Sequence, residues 1–140
     1  MEKLDQLVVD SLVSHLLRRV PGLAAAYLFG SAVRDGLRPD SDLDVAILLR
    51  PGARISAEGR LSLAAELTAV AARPVDLSVL RGPGGVVLGK EVVTTGRRLW
   101  EDGSPYVCEF EMYALSAYVR LREDRAVVEA AYTHAAAAGP

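Results

Sequence analysis

Apolar positions along the chain recur with two different periods. Leu4, Leu7, Val8, Leu12, Leu16 and Val20 stand at helical spacing and predict an amphipathic first helix, which Pro21-Gly22 stops. The run from Ala24 to Phe29 is short, apolar and closed by Gly30, the pattern of a buried strand. Ser31 to Gly36 fits a short helix that begins directly after that glycine. From Asp42 to Leu49 the period becomes two. Leu43, Val45, Ile47 and Leu49 share one face, and Asp42, Asp44, Ala46 and Leu48 share the other, so this is a second strand.

Pro51-Gly52 makes a turn, and Ser56 is placed to cap a helix carrying Leu61, Ala64, Leu67 and Ala71. Pro74 introduces a third alternating strand from Val75 to Leu80. The loop through Gly82 to Gly85 lacks the fingerprint of a P-loop and reads as a flexible connection or lid. Val86 to Thr95 predicts a short helix closed by Gly96, and Arg97 to Trp100 a brief strand. Ser104-Pro105 resembles an N-cap followed by proline at the first helical position. Phe110, Tyr113, Ala114, Ala117, Leu121 and Val128 then mark a long final helix. There are no internal repeats and no dividing linker, so residues 1–134 read as one domain and 135–140 as a frayed tail.

Composition narrows the setting. Although 51% of the 140 residues are hydrophobic, no uninterrupted run approaches the roughly 20 needed to span a membrane. The charged start Met-Glu-Lys-Leu-Asp-Gln lacks the apolar stretch of a secretory signal. Cys108 is the one cysteine, which rules out an intramolecular disulfide and suits a reducing cytoplasm. A net charge of −2 makes broad binding of a nucleic-acid backbone a poor expectation.

Candidate chemistry concentrates between Leu28 and Val45. Gly30 has no Cβ and lets backbone approach a ligand closely, while Ser31 and the free amides of the next helix can hold phosphate oxygens. Asp42 and Asp44 stand two apart on a strand and point to one face. Asp76 opens a later strand and can add a third carboxylate beside them. Two carboxylates about 4 Å apart repel by roughly 4 kcal/mol at an effective dielectric of about 20, which favours a cation between them. Hard oxygen ligands of this kind suit Mg²⁺. A lone Asp-x-Asp at a strand end is usually solvated turn chemistry, and a lone Gly-Ser is commoner still. What shifts the balance is their combination across ten intervening residues, with Asp76 one strand later.

Gly30-Ser31, those ten residues and Asp42-x-Asp44 resemble the signature of the DNA-polymerase-β-type nucleotidyltransferase superfamily. The short length, Ser41 before the aspartates, Asp76, and the segment from Glu91 to Trp100 are similar to its minimal branch. The resemblance implies an α/β (α+β) domain, a small mixed sheet flanked by helices. It implies Asp42 and Asp44 as ligands of two Mg²⁺ ions, with Mn²⁺ as a substitute, and Asp76 as a further ligand or general base. Ser31 would bind the triphosphate of ATP, with Gly30, Arg34 and Ser41 as nucleotide neighbours. Many members of this size resemble antitoxins encoded beside a HEPN-domain ribonuclease toxin, and the implied activity is transfer of AMP to a tyrosine of that toxin. Arg125 lies too far from His134 for a ribonuclease motif of the chain's own, so the toxin would be a separate chain. Transfer to an aminoglycoside-type small molecule and neutralisation by binding alone are the competing readings. The oligomeric state, homomeric or with the toxin, stays open.

The remaining polar residues have plainer readings. Lys90 is expected at the surface, and His15 on the polar margin of the first helix, without metal-ligand spacing to another His or Cys. Tyr106, Tyr113, Tyr118 and Tyr132 fit core or interface roles on the final helix, and Cys108 reads as a packing residue.

Overall fold

A computed structural model describes residues 5–34, 41–80 and 86–137, without the side chains of Ala32, Arg34, Val86, Val87 and 132–137. Its elements follow the order α1 (Gln6–Arg19), β1 (Leu23–Phe29), α2 (Ser31–Arg34), β2 (Leu43–Leu49), α3 (Ala57–Ala71), β3 (Val75–Leu80), α4 (Val86–Thr95), β4 (Arg97–Glu101) and α5 (Pro105–Ala137). The sheet order is β3-β2-β1-β4. β2 and β3 run parallel; β1 is antiparallel to both β2 and β4.

Every residue of β1 is buried, and only Asp44 of β2 is not. That double-sided burial explains the apolar run of β1, since helices cover both faces of the sheet. On one face Leu43, Val45 and Ile47 pack with Leu12 and Leu16 of α1 and Leu63 and Leu67 of α3. On the other, Tyr27, Phe29, Ala46 and Leu48 pack with Val92 of α4 and Val107 of α5. Among the described residues no helix is long and apolar enough to cross a membrane.

Caps and ion pairs place the helices. Asp5 accepts the Leu7 N–H at the start of α1, and Ser56 accepts the Gly59 N–H at the start of α3, as the sequence predicts for Ser56. His15 Nε2 and Arg19 Nε of α1 both reach Glu66 Oε1 of α3, at 3.0 and 2.9 Å. Burial alone would raise the Glu66 carboxyl, but the Arg19 and His15 hydrogen bonds outweigh it and hold it below the usual carboxylate range.

Three expectations need correction. Leu61 is 62% exposed, and Leu63 takes the core position one helical phase away. Cys108 is exposed, because Val107 and Ala114 occupy the inward face of α5. Tyr113 and Val128 are exposed on that helix too, which agrees with the interface alternative for Tyr113. Ser104 precedes Pro105 as expected, but its buried Oγ makes no hydrogen bond among the described residues. Asp102 Oδ1 accepts the Ser104 N–H instead, at 2.9 Å.

The long helix is tied to the sheet by a buried polar contact. Tyr27 donates its phenol to Glu111 Oε1 at 2.8 Å, and Arg98 Nη1 of β4 reaches the same oxygen at 3.2 Å. Burial and the Glu111 carboxylate both push the Tyr27 phenol far above its ordinary range. Tyr27→Phe should therefore cost about 1.5–3 kcal/mol, as loss of a hydrogen bond to a charged acceptor. A raised phenol pKa favours folding below the ordinary value of about 10 and loses that benefit as pH climbs above it. Denaturant melts at about pH 8 and about pH 11 should then show a steeper loss of stability in wild type than in Tyr27→Phe. Parallel losses would mean that Tyr27 contributes nothing of this kind.

Candidate functional site

The site forms where β1 ends and β2 and β3 begin. Gly30, buried and at φ +80°, turns the chain from β1 into α2. Phe29 is the register partner of Asp44 across the antiparallel ladder, and Asp44 is the register partner of Asp76 across the parallel one. Register partners present their side chains to the same face, on strands about 4.8 Å apart. Asp44 and Asp76 are thus lateral neighbours on the face that α4 and α5 cover. Asp42 lies just before β2 at the same end; it and Asp76 are exposed, and Asp44 is half-buried.

Gly30 has a second role beyond close approach to a ligand. A Cβ built there would overlap the Asp44 carboxylate, lying 3.0 Å from Cγ and 3.3 Å from the Asp44 Cβ. The glycine therefore makes room for the carboxylate as well as for the turn. Ser31 follows as the exposed first residue of α2. The side chain of Arg34 and the loop at 81–85 lie outside the described residues.

The start of β2 is held from α3. Ala72 ends that helix in the left-handed region, at φ 56° and ψ 33°, and turns the chain back toward the sheet. Arg73 Nη1 then donates to the Ser41 carbonyl at 3.5 Å, and the Leu43 N–H donates to the Pro74 carbonyl at 2.9 Å. Sequence reasoning passed over Arg73, although its place between a helix end and Pro74 was a usable signal. Lys90 is engaged elsewhere: its Nζ stands 4.9 Å from the centre of the Tyr118 ring.

Among the described residues no group of three His, Cys, Asp or Glu side chains is placed to hold a metal ion by itself. The arrangement is one register-paired set of carboxylates with a third at the opening of the strand. Such a set suits an ion that completes its shell with water and substrate phosphates, which is the habit of Mg²⁺.

Gly52 provides a comparison for Gly30. It has φ +84°, but a Cβ there would meet nothing within 4 Å. Gly52→Ala should cost only the left-handed strain of about 1–2 kcal/mol. Gly30→Ala should cost that and the displacement of Asp44, so urea melts should rank it clearly less stable. Equal costs would show that Asp44 moves aside freely.

The polymerase beta nucleotidyltransferase model matches residues 12–104. The protein adenylyltransferase MntA of Shewanella oneidensis is 31% identical over 126 residues, which are 89% of this chain and 87% of that protein. A crystal structure of a toxin–antitoxin with AMP-PNP has a chain 28% identical at a TM-score of 0.76, covering 89% of this chain and 98% of its own. A tri-AMPylated Shewanella oneidensis HEPN toxin in complex with its MNT antitoxin gives 29% identity and a TM-score of 0.71, over 91% and 98%. Gly30, the paired aspartates and the mixed sheet therefore sit within a likeness that runs nearly end to end. The chain belongs to the polymerase beta nucleotidyltransferase family, in its minimal branch alongside the protein adenylyltransferase MntA.

Proposed function

We propose that this chain is an antitoxin that transfers AMP from ATP to a tyrosine hydroxyl of a HEPN-domain ribonuclease toxin, in the cytoplasm. The observation that carries the reading is the likeness, across 91% of the chain, to an antitoxin solved with a tri-AMPylated HEPN toxin. The side-by-side setting of Asp44 and Asp76 supports it from the chemistry.

In this reading Gly30 and Ser31 receive the triphosphate, with Arg34 and Ser41 at its margin. Asp42 and Asp44 would hold the divalent ions, and Asp76 is their neighbour on the acceptor side. Two Mg²⁺ ions, replaceable by Mn²⁺, would neutralise the triphosphate and the charge that develops during transfer. The phenolic oxygen forms a bond to the α-phosphorus while the α–β phosphoanhydride bond breaks. Pyrophosphate leaves with the electron pair, and Asp76 accepts the phenolic proton. The docked toxin positions its own tyrosine, and proximity of that kind can lower a barrier by several kcal/mol. Val119, Val127 and Val128, exposed on the outer part of α5, give the toxin an apolar surface to dock on.

The test is to incubate the chain with ATP, Mg²⁺ and the HEPN-domain protein encoded beside it, then weigh the partner. Mass additions of AMP are expected with wild type and should vanish in Asp42→Asn, Asp44→Asn and Asp76→Asn. Asp42 and Asp76 are exposed, so their asparagine variants should melt near wild type. A stable complex that silences the toxin without added mass would instead favour neutralisation by binding.

Nucleotide binding gives a second measurement. Mg-ATP at a hundred times its Kd should stabilise wild type by about 2.7 kcal/mol through mass action. Ser31→Ala should weaken Mg-ATP binding by roughly 1–2 kcal/mol, as loss of one hydrogen bond to a charged group. No change on Ser31→Ala would place the phosphates elsewhere.

A further inference from the structure

β3 is an edge strand, and only part of its outer edge is covered. The Leu43-to-Pro74 hydrogen bond fixes which backbone groups face β2, so Val75, Leu77 and Val79 turn theirs outward. Side chains of α3 cap the first of these: Thr68 Oγ1 accepts the Val75 N–H at 3.1 Å, and Arg60 Nη1 donates to the Leu77 carbonyl at 3.1 Å. The N–H groups of Leu77 and Val79 remain as outward donors with no partner among the described residues.

Those donors border a groove of about 380 Å³ between the start of α3 and β3. Ile55, Ser56 and Arg60 line one wall, and Asp76, Ser78 and Val79 the other. The groove therefore ends beside Asp76, whose carboxylate the register turns toward the face of α4 and α5. It combines apolar contact (Ile55, Val79), hydroxyls (Ser56, Ser78) and one half-buried guanidinium.

We infer that this groove receives the acceptor segment of the protein partner in extended form. The segment pairs with the free half of the β3 edge and carries its tyrosine along the strand to Asp76. The inference rests on the proposed transfer of AMP to a protein tyrosine and adds where that tyrosine enters. A short strand added at an exposed edge gains main-chain hydrogen bonds from donors such as those of Leu77 and Val79. At about 3.3 Å per residue, three residues of incoming strand span from Val79 to Asp76. Arg60 beside the groove favours an acidic residue in the segment, and apolar side chains of the segment fit against Ile55 and Val79. A small molecule would have no use for paired strand donors.

Amide hydrogen exchange on wild-type protein tests this directly. Adding the HEPN-domain partner should slow exchange at Leu77 and Val79 at least tenfold. Ser78, whose N–H faces β2, is the internal reference and should not change. Ile55→Trp and Ala57→Trp, which fill the groove from the side of α3, should raise KM for the partner at least tenfold while Kd for Mg-ATP stays within twofold. Unprotected Leu77 and Val79 amides in a wild-type mixture that does label the partner would overturn the inference and leave the transfer reading standing. Parallel loss of Mg-ATP binding in the filled variants would overturn it too, by assigning the groove to the nucleotide. If wild type never labels the partner, the transfer reading falls, and with it the acceptor role of the groove.

Discussion

The register between β2 and β3 is the constraint on which the site depends. A slip of β3 by one residue against β2 would carry Asp76 to the face opposite Asp44 and bring Leu77 out of the core. Val45, Ile47 and Leu77 are nearly or wholly inaccessible where they meet α1 and α3, so the packing there fixes the register. Two carboxylates at close range repel, and nothing in their own chemistry holds them together without a cation. The apolar layer on the far side of the sheet does that work instead. The geometry of the site is imposed by hydrophobic burial, and the carboxylates are carried along with it.

Three local devices sharpen that geometry. Gly30 leaves the space into which the Asp44 carboxylate packs, and at positive φ it turns the chain into α2. Ala72 accepts left-handed strain and brings Arg73 and Pro74 back against residues 41–43. Strain at a non-glycine residue persists only where the surroundings enforce it. On the opposite face Tyr27, Glu111 and Arg98 join β1, β4 and α5. The 33 residues of α5 extend roughly 50 Å, far beyond the width of four strands. Anchored near its start, the helix carries its remaining length outward.

The sequence was most informative where burial is two-sided or alternation strict. β1, β2, β3, α3 and α4 could be read from it, because a run of apolar residues or a period of two leaves little choice. Side-chain phase on the exposed helices was harder. Leu61 and Cys108 read as packing positions in the sequence, yet the residues that pack are Leu63, two positions on, and Val107, one position back. Periodicity gives the stripe, but only the partner surface gives its centre. The carboxylate set was legible from spacing. The pairing of Asp44 with Asp76 was not, because register across thirty residues of intervening chain is a tertiary property. Arg60 and Arg73 went unnoticed for the same reason, since each acts on a backbone carbonyl far away in sequence.

Exposure differs between the paired carboxylates, and that difference gives the site a direction. Asp44 is half-buried between Phe29 and Gly30, on the strand that lies inside the sheet. Asp76 is exposed on the outermost strand, where solvent and a second chain have access. In the proposed transfer, a group that must stay fixed while holding a divalent ion belongs on the inner strand, where packing restricts its rotamers. A group that meets an arriving hydroxyl belongs at the edge. The order of strands in the sheet thus separates donor side from acceptor side. In that transfer, specificity comes from the partner that docks along the edge, while the inner strand holds its geometry and leaves the approach open.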